Sequence, residues 1–221
     1  MSLLLLANMI ACAAAFMGFA YGGIKFFRPK KAIYAQMITL AAGCMAFGKL
    51  YQVVLLITTG KITDRFQLGV FGIVGSLLFL FSANFGVMNS LADDGSNRFR
   101  KYRIIAILAP VSALALYLVF FPFSEVALAM KVIAGIVTLI VMLASYFNLK
   151  HLIFPDVDYG VINCLKAYNL LAIFFELTCI AETVALSRGS DVAVLVTDVL
   201  MSVILIIIVP TVERGIKKWT T

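Results

Sequence analysis

The sequence is poor in the residues that metal and redox sites require. It contains one histidine, His151, and one tryptophan, and its four cysteines show no CxxC spacing. A single histidine excludes both a haem held by two histidines and a histidine-rich metal site. The cysteines are interpreted as small buried apolar residues rather than as disulfides or metal ligands; they are Cys12, Cys44, Cys164 and Cys179. We therefore expect neither a metal ion nor another cofactor.

Charged residues are scarce as well. They make up 13% of the 221 residues, about half of the usual share, whereas hydrophobic residues make up 63% against an average of about 45–50%. A water-soluble domain has no use for so much apolar surface, and a disordered chain is poor in these very residues. The composition predicts an all-α, polytopic membrane protein, with residues 1–221 forming one transmembrane helical bundle.

Continuous apolar runs predict seven transmembrane helices, since a span needs roughly 20 apolar residues and a membrane barrel would alternate apolar with polar residues. The predicted helices cover residues 3–23, 32–59, 68–92, 104–121, 126–149, 160–187 and 192–212. Gly60 and Gly189 are expected to end two of them. A turn is predicted at Asp93–Ser96, and Pro110 and Pro210 are expected to bend the fourth and seventh helices.

The positive residues predict the orientation of the helices. Twelve lysine and arginine residues fall on one side of the predicted membrane and four on the other. The twelve are Lys25, Arg28, Lys30, Lys31, Arg98, Arg100, Lys101, Arg103, Lys150, Arg214, Lys217 and Lys218, and the four are Lys61, Arg65, Lys131 and Arg188. Positive residues prefer the cytoplasm, so we expect the N-terminus outside and the C-terminus inside. The net charge of +7 then favours anionic lipid headgroups at the cytoplasmic face, not nucleic acid.

The order of helices and breakpoints allows a three-plus-one-plus-three arrangement, with the fourth helix as a linker between two parallel halves. This arrangement resembles the topology of the sugar-transporting SWEET and PQ-loop class and of the KDEL receptor group. Those families carry a Pro-Gln motif in the first helix of each half, and this chain has no Pro-Gln pair. The resemblance therefore concerns helix number and orientation only.

Small residues mark one face of the third predicted helix, namely Gly72, Ser76, Ala83 and Gly86. Small side chains allow two helix backbones to approach closely inside a membrane. We expect this helix to be a central packing element, with a flexible gating helix as the alternative.

Two ionisable residues of opposite sign are predicted near the centre of the membrane. Lys49 lies ten residues before Thr59 and Glu176 eleven before Ser187, which places them ~15 Å and ~17 Å from the outer ends of their helices. Buried charges are costly unless they are paired or hydrated. A Lys49–Glu176 pair is the expectation, either as a structural ion pair or as part of a substrate or proton site.

Further polar residues are candidates for the same interior. Lys166, Asn169 and Glu176 share one helix face and are expected to line a vestibule open to the cytoplasm, unless Lys166 merely extends to the headgroups. Glu182 and Asp198 have similar predicted depths and are expected to face one cavity, or else to reach the outer surface separately. Gln52 is a further candidate for binding a solute, or it bonds a neighbouring helix.

The function predicted from these patterns is transport of a small polar solute or ion through a polar site near the centre of the membrane. Catalytic motifs are missing, because His151 alone cannot supply a Ser-His-Asp or Cys-His set, and we expect no enzyme. Two alternatives stay open, a non-enzymatic sensor or receptor and a structural subunit of a membrane complex, and with them an oligomer or a protein partner. The inner or plasma membrane of the cell is the expected location.

Overall fold

The chain folds into helices joined by short turns. The structure is a computed structural model that describes residues 2–28, 32–62, 68–85, 89, 93–122, 125–155 and 161–220, and within these ranges it contains no strand. The helices are α1 Leu3–Phe26, α2 Ile33–Thr59, α3 Gly69–Ala83, α4 Arg100–Ala106, α5 Leu108–Phe120, α6 Leu128–Ile153, α7 Val161–Ser187 and α8 Asp191–Thr220. A single 3-10 turn, Asn97–Phe99, precedes α4. The predicted all-α class is therefore confirmed.

Six of the described helical stretches are long and apolar enough to cross a membrane. They are α1, α2, the stretch Asn97–Phe120 that contains α4 and α5, α6, α7 and α8. The third predicted span, residues 68–92, corresponds to α3, of which 15 residues are described. Residues 86–88 and 90–92 lie outside the described part of the chain, including Gly86 of the predicted small-residue face. A count of seven spans thus stays a prediction.

Most predicted helix ends agree with the structure to within a few residues. The predicted end of the third span, residue 92, lies outside the described residues, and the last helix differs. Gly60 and Gly189 follow α2 and α7 with φ angles of 75° and 63°, a left-handed conformation that glycine adopts without strain. Gly95, in the predicted turn, has a φ of 78°. The last helix continues to Thr220 instead of ending near residue 212. Its final turns carry Lys217 and Lys218, which suit a helix C-terminus.

Pro110 interrupts the fourth predicted span as expected. Proline has no backbone N–H and cannot donate to the carbonyl of Ala106 four residues earlier. The structure places a turn at Ile107, whose N–H bonds Ile104 three residues back at 3.1 Å, and α5 starts directly after it. Pro210 has a milder effect, because α8 continues through it.

The helices α1, α2, α3, α6, α7 and α8 form a closed ring in that order, with α8 packing back against α1. The stretch that contains α4 and α5 lies outside the ring and packs mainly against α6. Only 11% of the residues in its most apolar part are buried, against 39–50% in the other five candidate spans. The large core cluster fills the ring. One end of the ring carries Ser2, Gly60 and Gly189 and is called the Gly60 end; the opposite end is called the His151 end.

The outward faces of the helices carry large apolar side chains. Among them are Ile57 with 66% of its surface exposed, Phe47 with 59% and Leu128 with 76%. Soluble monomers do not expose apolar residues over all of their surface. The outward apolar faces and the six long apolar helices together indicate a multi-pass membrane protein.

The helices α2 and α3 approach each other through glycine, as the small face of the third helix predicts. A Cβ atom added to Gly48 would lie 2.7 Å from the Cα atom of Gly72 and 2.9 Å from the carbonyl oxygen of Gly69. Ser76 and Ala83, on the same face of α3, are also buried. The close approach holds α2, and with it Lys49, against α3.

Candidate functional site

Lys49 forms two ion pairs in the interior of the ring. Its Nζ atom lies 2.5 Å from Glu182 Oε1 on α7 and 2.5 Å from Asp198 Oδ1 on α8. The three side chains expose at most 1% of their surface. We call these three residues the Lys49 triad. Three elements far apart in sequence therefore meet at one ammonium group inside an apolar bundle.

Asn8 on α1 completes the surroundings of the ammonium group. Its side-chain oxygen lies 3.4 Å from Lys49 Nζ, and its amide nitrogen donates to the carbonyl of Leu4 at 2.9 Å. Asn8 exposes 1% of its surface. The helices α1 and α2 thus supply an amide and an ammonium, while α7 and α8 supply two carboxylates.

The Lys49 triad is not electrically balanced when all three groups are ionised. One ammonium faces two carboxylates, so the formal charge is −1. Glu182 Oε2 and Asp198 Oδ2 are both buried and have no hydrogen-bond partner among the described residues. A buried charge without compensation is costly, and buried polar atoms are normally bonded. An additional positive charge would balance the three ionised groups.

The predicted pairing of Lys49 with Glu176 is wrong. Lys49 bonds Glu182 and Asp198, and Glu176 bonds Asn148. Counting residues from the helix ends gives the depth of each Cα atom, but the charge of a lysine lies at the end of a long flexible side chain. Lys49 extends toward the Gly60 end, where Glu182 and Asp198 lie, instead of meeting Glu176 at its own level. Of the two alternatives for Glu182 and Asp198, the structure brings both side chains to Lys49 in the interior and does not place them separately at the outer surface.

Glu176 belongs to a second polar network nearer the His151 end. The amide nitrogen of Asn148 on α6 donates to Glu176 Oε1, and the amide oxygen of Asn148 accepts from Asn84 Nδ2. Asn84, directly after α3, also donates to Asn169 Oδ1 on α7 at 3.1 Å. Nδ1 of His151 donates to Asn84 Oδ1 at 3.2 Å. We call these five residues the Glu176 network.

The Glu176 network has unused polar atoms of both kinds. Glu176 Oε2, Asn169 Nδ2 and His151 Nε2 are buried and have no hydrogen-bond partner among the described residues. They offer an acceptor, a donor and a ring nitrogen to a small polar molecule or to water. All five side chains expose at most 2% of their surface, so the predicted open vestibule along Asn169 and Glu176 is not present in this conformation. Lys166, its third expected member, is half-buried.

Gln52 is buried, as expected of an interior residue, with 2% of its surface exposed. It lies one turn from Lys49 on α2, and its side chain packs against Gly69 of α3. Its Oε1 atom has no hydrogen-bond partner among the described residues. The structure thus brings Gln52 to the contact between α2 and α3 and does not bond it to either network.

Three members of the two networks were missed by the sequence argument. Asn8 and Asn148 are single amide side chains within apolar helices, and this isolation is the sequence feature that could have identified them. His151 was expected in a loop, whereas it lies in the last turn of α6 and exposes 2% of its surface. The apolar run of α6 continues past the predicted end at residue 149, so the helix includes Lys150 and His151.

The predicted end of the fifth span at residue 149 places Lys150 in a loop, whereas it lies in the last turn of α6 and forms an ion pair. Its Nζ atom lies 2.8 Å from Asp93 Oδ2, and Arg103 Nη2 lies 2.7 Å from Asp93 Oδ1. Burial of Asp93 opposes its ionisation, but the hydrogen bonds from Arg103 and Lys150 hold the pKa of its carboxyl well below the usual range. This clamp ties the turn after α3 to the C-terminal end of α6, next to His151.

No protein-family model, no curated protein and no solved structure matches this chain. Among the described residues, no three histidine, cysteine, aspartate or glutamate side chains are grouped closely enough to hold a metal ion. The Lys49 triad and the Glu176 network are therefore the features that can indicate a function.

Proposed function

We propose that this chain is a small multi-pass membrane transporter that moves a small polar solute or ion through the interior of its helix ring. The observation that carries the proposal is the position of the two networks. Each one joins a group from α1–α3 to groups from α6–α8. In transporters made of two halves, the substrate and coupling-ion sites lie at the interface between them.

The Lys49 triad and the Glu176 network divide between the two halves in the same manner. Asn8 and Lys49 come from α1 and α2, and Glu182 and Asp198 come from α7 and α8. Asn84 follows α3, and its partners belong to α6 and α7. A bundle held only by packing would need no polar contacts between these helices, because apolar side chains would join them without the free-energy cost of burying charges. Polar groups that can exchange partners allow the halves to move.

The helix α7 connects the two networks. Glu176 and Glu182 are six residues apart on it, ~9 Å along the helix axis. Glu182 contacts the triad nearer the Gly60 end, and Glu176 contacts the network nearer the His151 end. A tilt of α7 and α8 against α1–α3 would open one network to water while the other stays closed, which is the geometry that alternating access requires.

The proposal includes the orientation expected from the positive residues, with seven spans, the Gly60 end outside, the His151 end in the cytoplasm, and the plasma or inner membrane as the location. The ring of α1–α3 and α6–α8 with one stretch outside it supports a three-plus-one-plus-three organisation. Of the residues behind the orientation argument, Lys30, Lys31 and Arg65 lie outside the described part of the chain. Transport requires no bond-making residues, and the proposal is for a non-enzymatic protein.

The test is a solute screen in reconstituted vesicles. Vesicles with an entrapped pH-sensitive dye are exposed to sugars, amino acids, organic acids, polyamines and alkali salts under an imposed pH gradient. We expect a protein-dependent pH change with at least one class, and its loss in Glu176→Gln. Leu177→Ala, which changes a side chain 44% exposed on the outward face of the same helix, is the matched control. Equal responses from protein-containing and empty vesicles across the screen would contradict proton-coupled transport of these solutes.

A structural subunit of a membrane complex is the second candidate. The stretch Asn97–Phe120 favours it, since this stretch packs mainly on α6 and leaves Leu108, Val111 and Val119 more than half exposed. A partner helix in the membrane could cover this face. Co-purification of a second membrane protein that is lost after Val111→Trp and Val119→Trp would support this candidate.

A further inference from the structure

We propose that the Lys49 triad binds one exchangeable proton, shared between Glu182 and Asp198, and that this proton enters from the Gly60 end. The inference rests on the proposed function, because it names what one of the two networks takes up. The formal charge of the triad leads to this inference. One ammonium and two carboxylates leave a charge of −1 among side chains that are at most 1% exposed. One proton makes the site neutral.

The free atoms of the triad fit a proton better than an alkali ion. Hard cations are held by several oxygen ligands at once. Lys49 already takes one oxygen of each carboxylate, so only Glu182 Oε2 and Asp198 Oδ2 have no partner among the described residues. A proton needs only one of these two oxygens. It converts one carboxylate into an acid and leaves Lys49 with a single anionic partner.

Among the described residues, two thiols and the more distant Glu176 are the other titratable groups near the triad. Cys12 on α1 faces Lys49, and Cys179 on α7 lies within electrostatic range of Lys49, Glu182 and Asp198. Glu176 acts on Cys179 from the other side. These groups surround the site from α1 and α7, and none of them supplies a second positive charge. Lys49 is thus the only cation that the described residues bring to this site.

A pocket at the Gly60 end leads toward the triad. It has a volume of about 300 Å³ and includes Leu4, Leu186 and Val194 in its lining. Leu4, Leu186 and Val194 are each four residues, one helical turn, from Asn8, Glu182 and Asp198 respectively. Three residues of the pocket lining therefore lie one turn from Asn8 and from the two carboxylate residues of the triad.

A small apolar cluster separates the pocket from the triad. Its buried members are Ala7, Ala185 and Val194, and Leu4 and Leu186 pack against them. We call these five residues the plug. The plug contains no polar atom except backbone groups, so it excludes water in this conformation. The proton exchanges when α1, α7 and α8 separate at the plug.

The test is infrared spectroscopy of the purified full-length protein in lipid nanodiscs. Protonated and ionised carboxyl groups absorb at different frequencies, so a pH titration reports proton binding without any transport assay. All samples carry Glu176→Gln, which removes the carboxyl group of the Glu176 network from the spectrum, and Asp93 stays ionised to lower pH than an ordinary carboxyl group. Exposed carboxyl groups titrate near about pH 4 and contribute equally to every sample, so we expect one further carboxyl band that appears as the pH falls. It should be lost in both Glu182→Gln and Asp198→Asn, because each leaves a neutral ion pair.

The result that would overturn the proton site is survival of this further carboxyl band in either variant, or its absence at any pH. Loss of the band in sodium or potassium chloride, but not in a salt of a large organic cation, would also overturn it in favour of an alkali-ion site. If one variant does not fold, the other suffices. The band in the Glu176→Gln background without transport by the parent protein would contradict the proposed function alone, and transport by the parent protein without the band would contradict this inference alone.

The route is tested by the rate at which the same band shifts in heavy water. Leu186→Asn, which makes the plug polar, should exchange severalfold faster than the parent protein. Leu177→Asn, on the outward face of the same helix, is the control and should not change the rate. Equal rates in the parent and in Leu186→Asn would overturn entry through the plug.

Discussion

Lys49 and Asp198 are 149 residues apart in the chain, and their Nζ and Oδ1 atoms lie 2.5 Å apart in the interior of the ring. This contact joins the second helix of the ring to the last one. With Glu182 on the other side of the ammonium, it links the half made of α1–α3 to the half made of α6–α8. We expect the stability of the fold to depend on this contact.

Removal of the ammonium should destabilise the protein strongly. Lys49→Met leaves two carboxylates buried without a partner, and loss of one side of a buried ion pair costs about 3–5 kcal/mol. Adding Glu182→Gln and Asp198→Asn to Lys49→Met should restore most of the loss. Adding Glu176→Gln should not restore it, because Glu176 bonds Asn148 instead. Thermal unfolding of the purified variants measures each step, and rescue by Glu176→Gln would contradict the observed pairing.

The glycine contact between α2 and α3 should not tolerate a side chain. Gly48→Ala places a methyl group 2.7 Å from Gly72 Cα, and overpacking of this kind costs about 1–3 kcal/mol. Gly23→Ala in α1 is the matched control, since no heavy atom lies within 4 Å of its added Cβ. We expect a lower melting temperature for Gly48→Ala only. Equal melting temperatures would show that α2 and α3 can move apart without loss of stability.

The clamp at Asp93 predicts a dependence of stability on pH. Its pKa is lower in the folded protein than in the unfolded chain, where it is about 3.9. The stabilisation of the fold by ionised Asp93 is therefore fully present above the unfolded pKa. It is lost progressively as the pH falls from that value toward the lower pKa of the folded protein. Asp93→Asn should cost about 1.5–3 kcal/mol at neutral pH. The gap between parent and variant should close on acidification below about pH 4; a gap that is constant across this range would exclude Asp93 as its source.

The proposed orientation predicts which positions a membrane-impermeant thiol reagent can reach. In a background without the four native cysteines, a single cysteine at Lys61 should be labelled in intact cells. Single cysteines at Arg98 or Lys218 should be labelled only after the membrane is opened. Labelling of Lys218→Cys in intact cells would reverse the orientation of the bundle.

Much of the fold follows from local patterns in the sequence. Apolar length marks the helices, Gly60 and Gly189 end two of them, and Pro110 breaks a third, because each effect depends on residues within a few positions. The partner of Lys49 could not be found in this way. Counting residues gives the depth of a Cα atom, but the rotation of each helix and the direction of a long side chain are decided by packing. The same limit hid the roles of Asn148 and His151, whose partners come from α3 and α7.

The most direct test of the account is the accessibility of Cys179 to water. This native cysteine is completely buried, and it lies on α7 midway between Glu176 and Glu182. With Cys12, Cys44 and Cys164 replaced by alanine, it is the only thiol, and a small charged thiol reagent is applied to vesicles of either orientation. A transporter whose halves move against each other should expose Cys179 to the reagent, and Leu186→Asn should speed its labelling from the Gly60 end. Cys179 that stays unlabelled from both sides, yet reacts fully after denaturation, would contradict transport and leave a static bundle.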